Sequence, residues 1–123
     1  MRWIASTLRR WAPALLLMAL IFGASSIPST ELPNFGAWDY AVKKGSHALG
    51  YGALGLAYWR ALLPHGRAGR IAWIMAVLYS FTDELHQSLV PGRHPSAIDA
   101  GIDALAAALS LAIVIIRSRG ETR

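Results

Sequence analysis

Apolar residues fall along this chain in four long runs, at residues 11–27, 46–63, 71–89 and 98–116. Three short connectors separate them, and each carries helix-stopping Pro or Gly: Pro28 to Pro33, Pro64 to Arg70 and Pro91 to Pro95. No run alternates apolar with polar as a half-buried strand would. The pattern predicts four helices joined by three loops, forming one unit over residues 1–123. A soluble four-helix bundle would need a polar stripe on every helix, and residues 71–81 and 104–116 offer almost none. The expected fold is therefore all-α: an integral membrane bundle of four transmembrane helices.

Composition supports this. Of 123 residues, 54% are hydrophobic and 15% charged, against about 25% charged in an ordinary soluble domain. So apolar a chain is not disordered. The absence of Cys removes disulfides, thiolate catalysis and Cys-ligated zinc. The net charge of +5 is scattered rather than gathered in a stripe, which argues against nucleic acid as a partner.

Sidedness follows from the basic residues. Arg2, Arg9, Arg10, Arg60, Arg67, Arg70, Arg117, Arg119 and Arg123 fall at the chain ends and the second connector, whereas Lys43, Lys44 and Arg93 flank the other two. By the positive-inside rule both termini are expected in the cytoplasm. Trp11, Trp59 and Trp73 then mark the inner boundary and Trp38 the outer loop. The basic start of the first segment and its small residues at Gly23 to Ser26 also suit a signal peptide, although the apolar run is long and no A-x-A site follows.

This topology gathers the remaining polar residues at the outer face: Lys44, His47 and Tyr51, then Asp83, Glu84, His86 and Gln87, then Arg93, Ser96, Asp99 and Asp103. The charge-free stretch from residue 71 to 82 covers about 18 Å of a hydrocarbon layer about 30 Å thick, which puts Asp83 within the bilayer. Charges there are costly unless paired or facing a wet cavity. Asp99 and Asp103 stand four apart on one helix face and repel unless a cation intervenes. Lys44, Arg93, His47, His86 or a metal held by His47, Asp83, Glu84 and Asp99 are the available cations. One reading has Asp99–Arg93 and Glu84–Lys44 pairs stapling helices together; the favoured one is an outward-facing pocket for a ligand. On the fourth helix Ala100, Ala104, Ala108 and Ala112 recur every four residues, the pattern of a close helix seam.

Three blocks, K-x-x-H at Lys44 and His47 with Tyr51 beyond, D-E-x-x-Q at Asp83, Glu84 and Gln87, and P-G-R-x-x-S-x-x-D ending on Arg93, Ser96 and Asp99, resemble the VanZ-like family over nearly the whole chain. These are small bacterial membrane proteins named after a teicoplanin-resistance protein. Two departures stand out: Asp103 where the family usually has Asn, and Ala106 where it tends to have Gly. The resemblance implies a multi-pass protein of the bacterial cytoplasmic membrane, linked in one member to glycopeptide resistance, and supplies no reaction or cofactor. The expected function is a pocket, formed by the ten residues from Lys44 to Asp103 named above without His86, that binds a lipid-linked or anionic envelope ligand. The alternatives are an intramembrane, metal-assisted hydrolase or transferase acting on a lipid phosphate and, less favoured, a transporter or proton relay.

Overall fold

The computed structural model describes residues 1–122. Four helices carry the fold: α1 (Arg2–Ser25), α2 (Asp39–Leu62), α3 (Ala68–Gln87) and α4 (Ala97–Glu121). Two single 3₁₀ turns, Ser29–Glu31 and Gly36–Trp38, punctuate the α1–α2 loop. Consecutive helices run antiparallel. The ends of α1 and α3 and the starts of α2 and α4 share one end of the bundle, where Pro91 O accepts from Ser29 N at 3.4 Å.

All four predicted helices are present, with longer bounds than the apolar runs suggest. Helix α1 continues through Pro13 to Arg2. Helix α2 starts at Asp39, seven residues before the apolar run at 46, because Asp39 and Lys43 form an i,i+4 pair at 2.9 Å across its first turn. Lys43 also holds the Asp39 carboxyl below the usual carboxylate range. Helix α4 is capped by Ser96, whose hydroxyl oxygen accepts from Asp99 N at 3.1 Å.

Helix α2 touches all three other helices, and α4 most extensively, while α1 packs on α2 and α3 without meeting α4 among the described residues. The close α2–α4 approach rests on glycine. A Cβ on Gly52 would stand 3.1 Å from Ser110 Oγ, and one on Gly55 would stand 3.4 Å from Ala107 Cβ. The α4 seam is not the expected alanine row. Its buried residues are Ala100, Asp103, Ala107 and Leu111, and Ala112 is exposed. Steps of four advance about 40° too far per step on a helix of 3.6 residues per turn, so the row winds off the interface. Although Ala106 stands where the family tends to have Gly, α2 lies close because its own glycines make the room.

The distribution of side chains is the reverse of a soluble bundle. The interior is small and partly polar: Ala14, Ala57, Ala72, Ala76 and Ala107 are buried along with Ser25, Ser80, Asp83 and Asp103. Large apolar residues point outward, among them Leu15, Leu16 and Leu20 of α1, Leu78, Phe81 and Leu85 of α3, and Leu105, Leu109 and Ile113 of α4. Helices α1 and α4 are long and apolar enough to cross a membrane.

Overfilling the α2–α4 seam tests this packing. Gly55→Leu should lower the melting temperature in detergent, by about 1–3 kcal/mol of stability, whereas Gly101→Leu, facing open space, should leave it unchanged. Equal melting of the two variants would refute the seam.

Candidate functional site

The deepest polar contacts centre on His47. Its Nδ1 lies 2.9 Å from Asp103 Oδ1 and its Nε2 3.0 Å from Asp83 Oδ2. The imidazole of α2 thus bridges carboxylates from α3 and α4. Both carboxylate side chains are almost fully buried, at 1% exposure for Asp83 and 3% for Asp103, while His47 keeps 21%. Tyr51, one turn along α2, donates to Asp83 Oδ2 at 3.2 Å, and Ser80 donates to Asp103 Oδ2 at 3.1 Å. Asp83 Oδ1 is buried without a hydrogen-bond partner.

Hydrogen-bond chemistry sets the proton count. Carboxylates only accept, and a neutral imidazole has one donor and one acceptor nitrogen. Both bonds to His47 can form only if the ring is imidazolium or if one Asp is protonated and donates to it. Either way both ring nitrogens are occupied. A metal ion or a substrate proton at His47 would have to displace one of these two hydrogen bonds. Among the described residues no three His, Asp or Glu side chains form a metal-binding group; of the four metal candidates, His47 and Asp83 meet, while Glu84 and Asp99 bond elsewhere.

Around this cluster the other predicted site residues fasten the same end of the bundle. Lys44 Nζ pairs with Asp99 Oδ1 at 2.7 Å. Glu84 Oε2 accepts from the backbone N–H of Ser96 at 3.1 Å, tying α3 to the start of α4. Gln87 Nε2 donates to Ser25 Oγ of α1 at 3.1 Å. The expected repulsion between Asp99 and Asp103 is thus answered by a separate partner for each, Lys44 and His47.

Arg93 corrects the expected pairing. It does not staple Asp99. Its Nε donates to Ile27 O at 3.1 Å and its Nη2 to Ala24 O at 2.8 Å, so the guanidinium fork closes the C-terminal end of α1 and satisfies carbonyls that a helix end leaves open. The turn that aims it depends on Gly92, at φ +74°, where a Cβ would collide with Ser29. Glu84 likewise meets Ser96 rather than Lys44. His86, proposed as a cation for the acids, instead lies 2.8 Å from Ser26 Oγ and stacks on Phe22, with ring centroids 4.2 Å apart.

Two cavities meet beside His47. A cleft of about 480 Å³ runs between α1 and α2, walled by apolar residues including Leu17, Leu20, Ile21, Leu32 and Val42. A polar basin of about 340 Å³ lies against it, bounded by Asp39, Tyr40, Lys44, His94 and Asp99. His47, Gln87, Arg93, Lys43 and Leu32 line both. Sequence reasoning missed Ser80, whose place three residues before Asp83 on α3 was a readable signal. It also missed Ser25 and the apolar cleft, which no spacing within one helix reveals.

A small all-α bundle whose helices are tied at one end by a buried acid–imidazole–acid bridge is the class these features define. The VanZ/LLP1 family profile matches residues 10–118, and the chain belongs to that family. No curated protein and no solved structure matches it. Of the family-pattern residues, His47, Tyr51 and Asp83 form the buried cluster, and Lys44, Glu84, Gln87, Arg93, Ser96 and Asp99 form the ties around it.

Two predictions follow from these bonds. His47→Ala leaves two buried carboxyl groups without the ring they share and should cost about 3 kcal/mol or more. Adding Asp103→Asn should recover part of that loss, because it removes one uncompensated charge. A double-mutant cycle of melting in detergent checks it, and strictly additive losses would show that the two are not coupled. Arg93→Lys keeps the charge but loses the fork, so it should destabilise by about 1–3 kcal/mol; unchanged melting would remove its role on α1.

Proposed function

We propose that this protein is a four-span protein of the bacterial cytoplasmic membrane, with both termini cytoplasmic, that holds an amphiphilic envelope ligand at its outer face. Each helix is at least about 30 Å long at 1.5 Å per residue, enough to cross the hydrocarbon layer. Helices α2 and α3 are less apolar on average, with Ser80 and Asp83 turned inward and Arg60 and Arg70 exposed near the far end; α3 presents Ile74, Leu78, Phe81 and Leu85 outward. Small residues inside and large apolar residues outside suit helices packed in lipid.

The observation that carries the ligand reading is the junction of the apolar α1–α2 cleft with the polar basin at His47, Gln87 and Arg93. An apolar chain fits the first space and a polar head the second. The basin pairs both its lysines with acids, Lys43 with Asp39 and Lys44 with Asp99, and Arg93 is turned to backbone carbonyls, so it offers donors and acceptors together. Such a site suits the head of a lipid-linked envelope precursor better than a bare anion. The engaged nitrogens of His47 favour binding over hydrolysis. Occupancy of this site by an envelope amphiphile would alter what glycopeptides meet at the cell surface, in line with the resistance role of the family's namesake.

Two measurements test this. Alkaline phosphatase fused after Pro91 should be active and fused after Leu63 inactive; the opposite pattern would place the basin in the cytoplasm and overturn the reading. Chain purified in mild detergent should retain an extractable amphiphile, and Ser46→Phe, which fills the cleft, should lose it without a change in melting. Retention by the variant equal to that of the parent would refute the cleft as the site.

A further inference from the structure

At the opposite end of the bundle, the α2–α3 loop and the last turns of α4 enclose a separate cavity of about 530 Å³, whose lining includes Trp59, His65, Arg67, Arg70, Ile115 and Arg119. Three arginines reach it from two helices and a loop, and among the described residues no acid lines the space. None of the three arginines forms an ion pair among the described residues. This contrasts with the outer basin, where Lys43 and Lys44 each have a carboxylate.

The backbone adds to the same field. The first turn of α3 opens beside these arginines with no side-chain cap and no acidic residue. His65 takes the N–H groups of Arg67 and Ala68, at 3.1 and 3.0 Å; the next amides, of Gly69 and Arg70, have no intrahelical acceptor, and the helix start carries partial positive charge. Gly69 lets that turn close on α4: a Cβ there would fall 2.6 Å from Ile115 Cδ1. Trp59 and Ile115 give the cavity an apolar side next to its charged one.

We propose that this cavity binds a phosphate group, held by the forks of Arg67, Arg70 and Arg119 at the start of α3. Guanidinium groups suit phosphate because two parallel N–H donors match two phosphate oxygens. The apolar wall fits the glycerol and upper acyl carbons of an anionic phospholipid, and a free phosphate offers the same oxygens to the same forks. The site stands apart from the α1–α2 cleft, and either can fail without the other.

Native mass spectrometry of the full chain in detergent, with phosphatidylglycerol and phosphatidylcholine of identical acyl chains, tests this. The parent chain should retain phosphatidylglycerol about fivefold or more over phosphatidylcholine, and Arg67→Gln, Arg70→Gln or Arg119→Gln should each reduce that preference by about threefold. These side chains are exposed, and unchanged melting confirms that each variant is folded. A control combining Arg2→Gln, Arg9→Gln and Arg10→Gln removes three charges elsewhere, more than any single test variant, and should keep the preference. Inorganic phosphate forms the second arm. Displacement of the lipid with the same arginine dependence identifies free phosphate as an alternative occupant. No displacement, with the lipid preference intact, assigns the site to the headgroup. Equal retention of the two lipids by the parent chain, or an equal loss of preference in the control, would overturn the proposal.

Discussion

Two carboxylates can be buried in this bundle only because His47 stands between them. Asp83 and Asp103 reach the interior from α3 and α4, and each would be costly there alone. The imidazole from α2 offers a nitrogen to each, at 3.0 and 2.9 Å. Three of the four helices are therefore tied by one ring at one depth. Sliding α3 or α4 along α2 by a fraction of a turn would strand a carboxylate, so the bridge specifies register in a core where alanines surround a few large residues such as Tyr51, Leu54 and Tyr58. Helix α1 joins by weaker means, through Gln87 to Ser25 and Arg93 to its final carbonyls. It is also the helix from which the bundle parts to form the apolar cleft.

Electrostatics differ at the two ends of the molecule. Near His47 acids and bases lie side by side: Asp39 with Lys43, Asp99 with Lys44, and two acids about one imidazole. At the far end Arg67, Arg70 and Arg119 have no acid within ion-pair distance among the described residues. Matched charges hold polar material in place without a strong outward field, while unmatched arginines project one. A ligand of mixed character suits the first end, and an anion suits the second.

Much of this was legible in the sequence and some was not. Four apolar runs with Pro and Gly between them were enough for helix number and order. The same reasoning misplaced boundaries, because Asp39 and Lys43 extend α2 through a polar stretch that hydropathy alone assigns to a loop. The polar residues of the site were recognisable as a set, since so many ionisable groups at one end of apolar helices need partners. Their pairing was not, because it depends on distances between helices. Arg93 is six residues from Asp99 in sequence, yet the Gly92 turn sends it back to α1. The alanine row was misread through treating a period of four as a helix face, when the buried face follows 3.6.

Asp103 shows how one departure from the family pattern changes the physics of the site. With Asn at that position, His47 would face one carboxylate and one amide, and a single proton arrangement would satisfy both ring nitrogens. With Asp, the ring lies between two acceptors, and the cluster must hold a second proton. The buried charge then rests on how two protons are shared among three groups drawn from three helices. His47 also lines the cleft and the basin. Any molecule filling those spaces therefore touches the one ring that sets helix register, and helix packing and ligand contact draw on the same two hydrogen bonds.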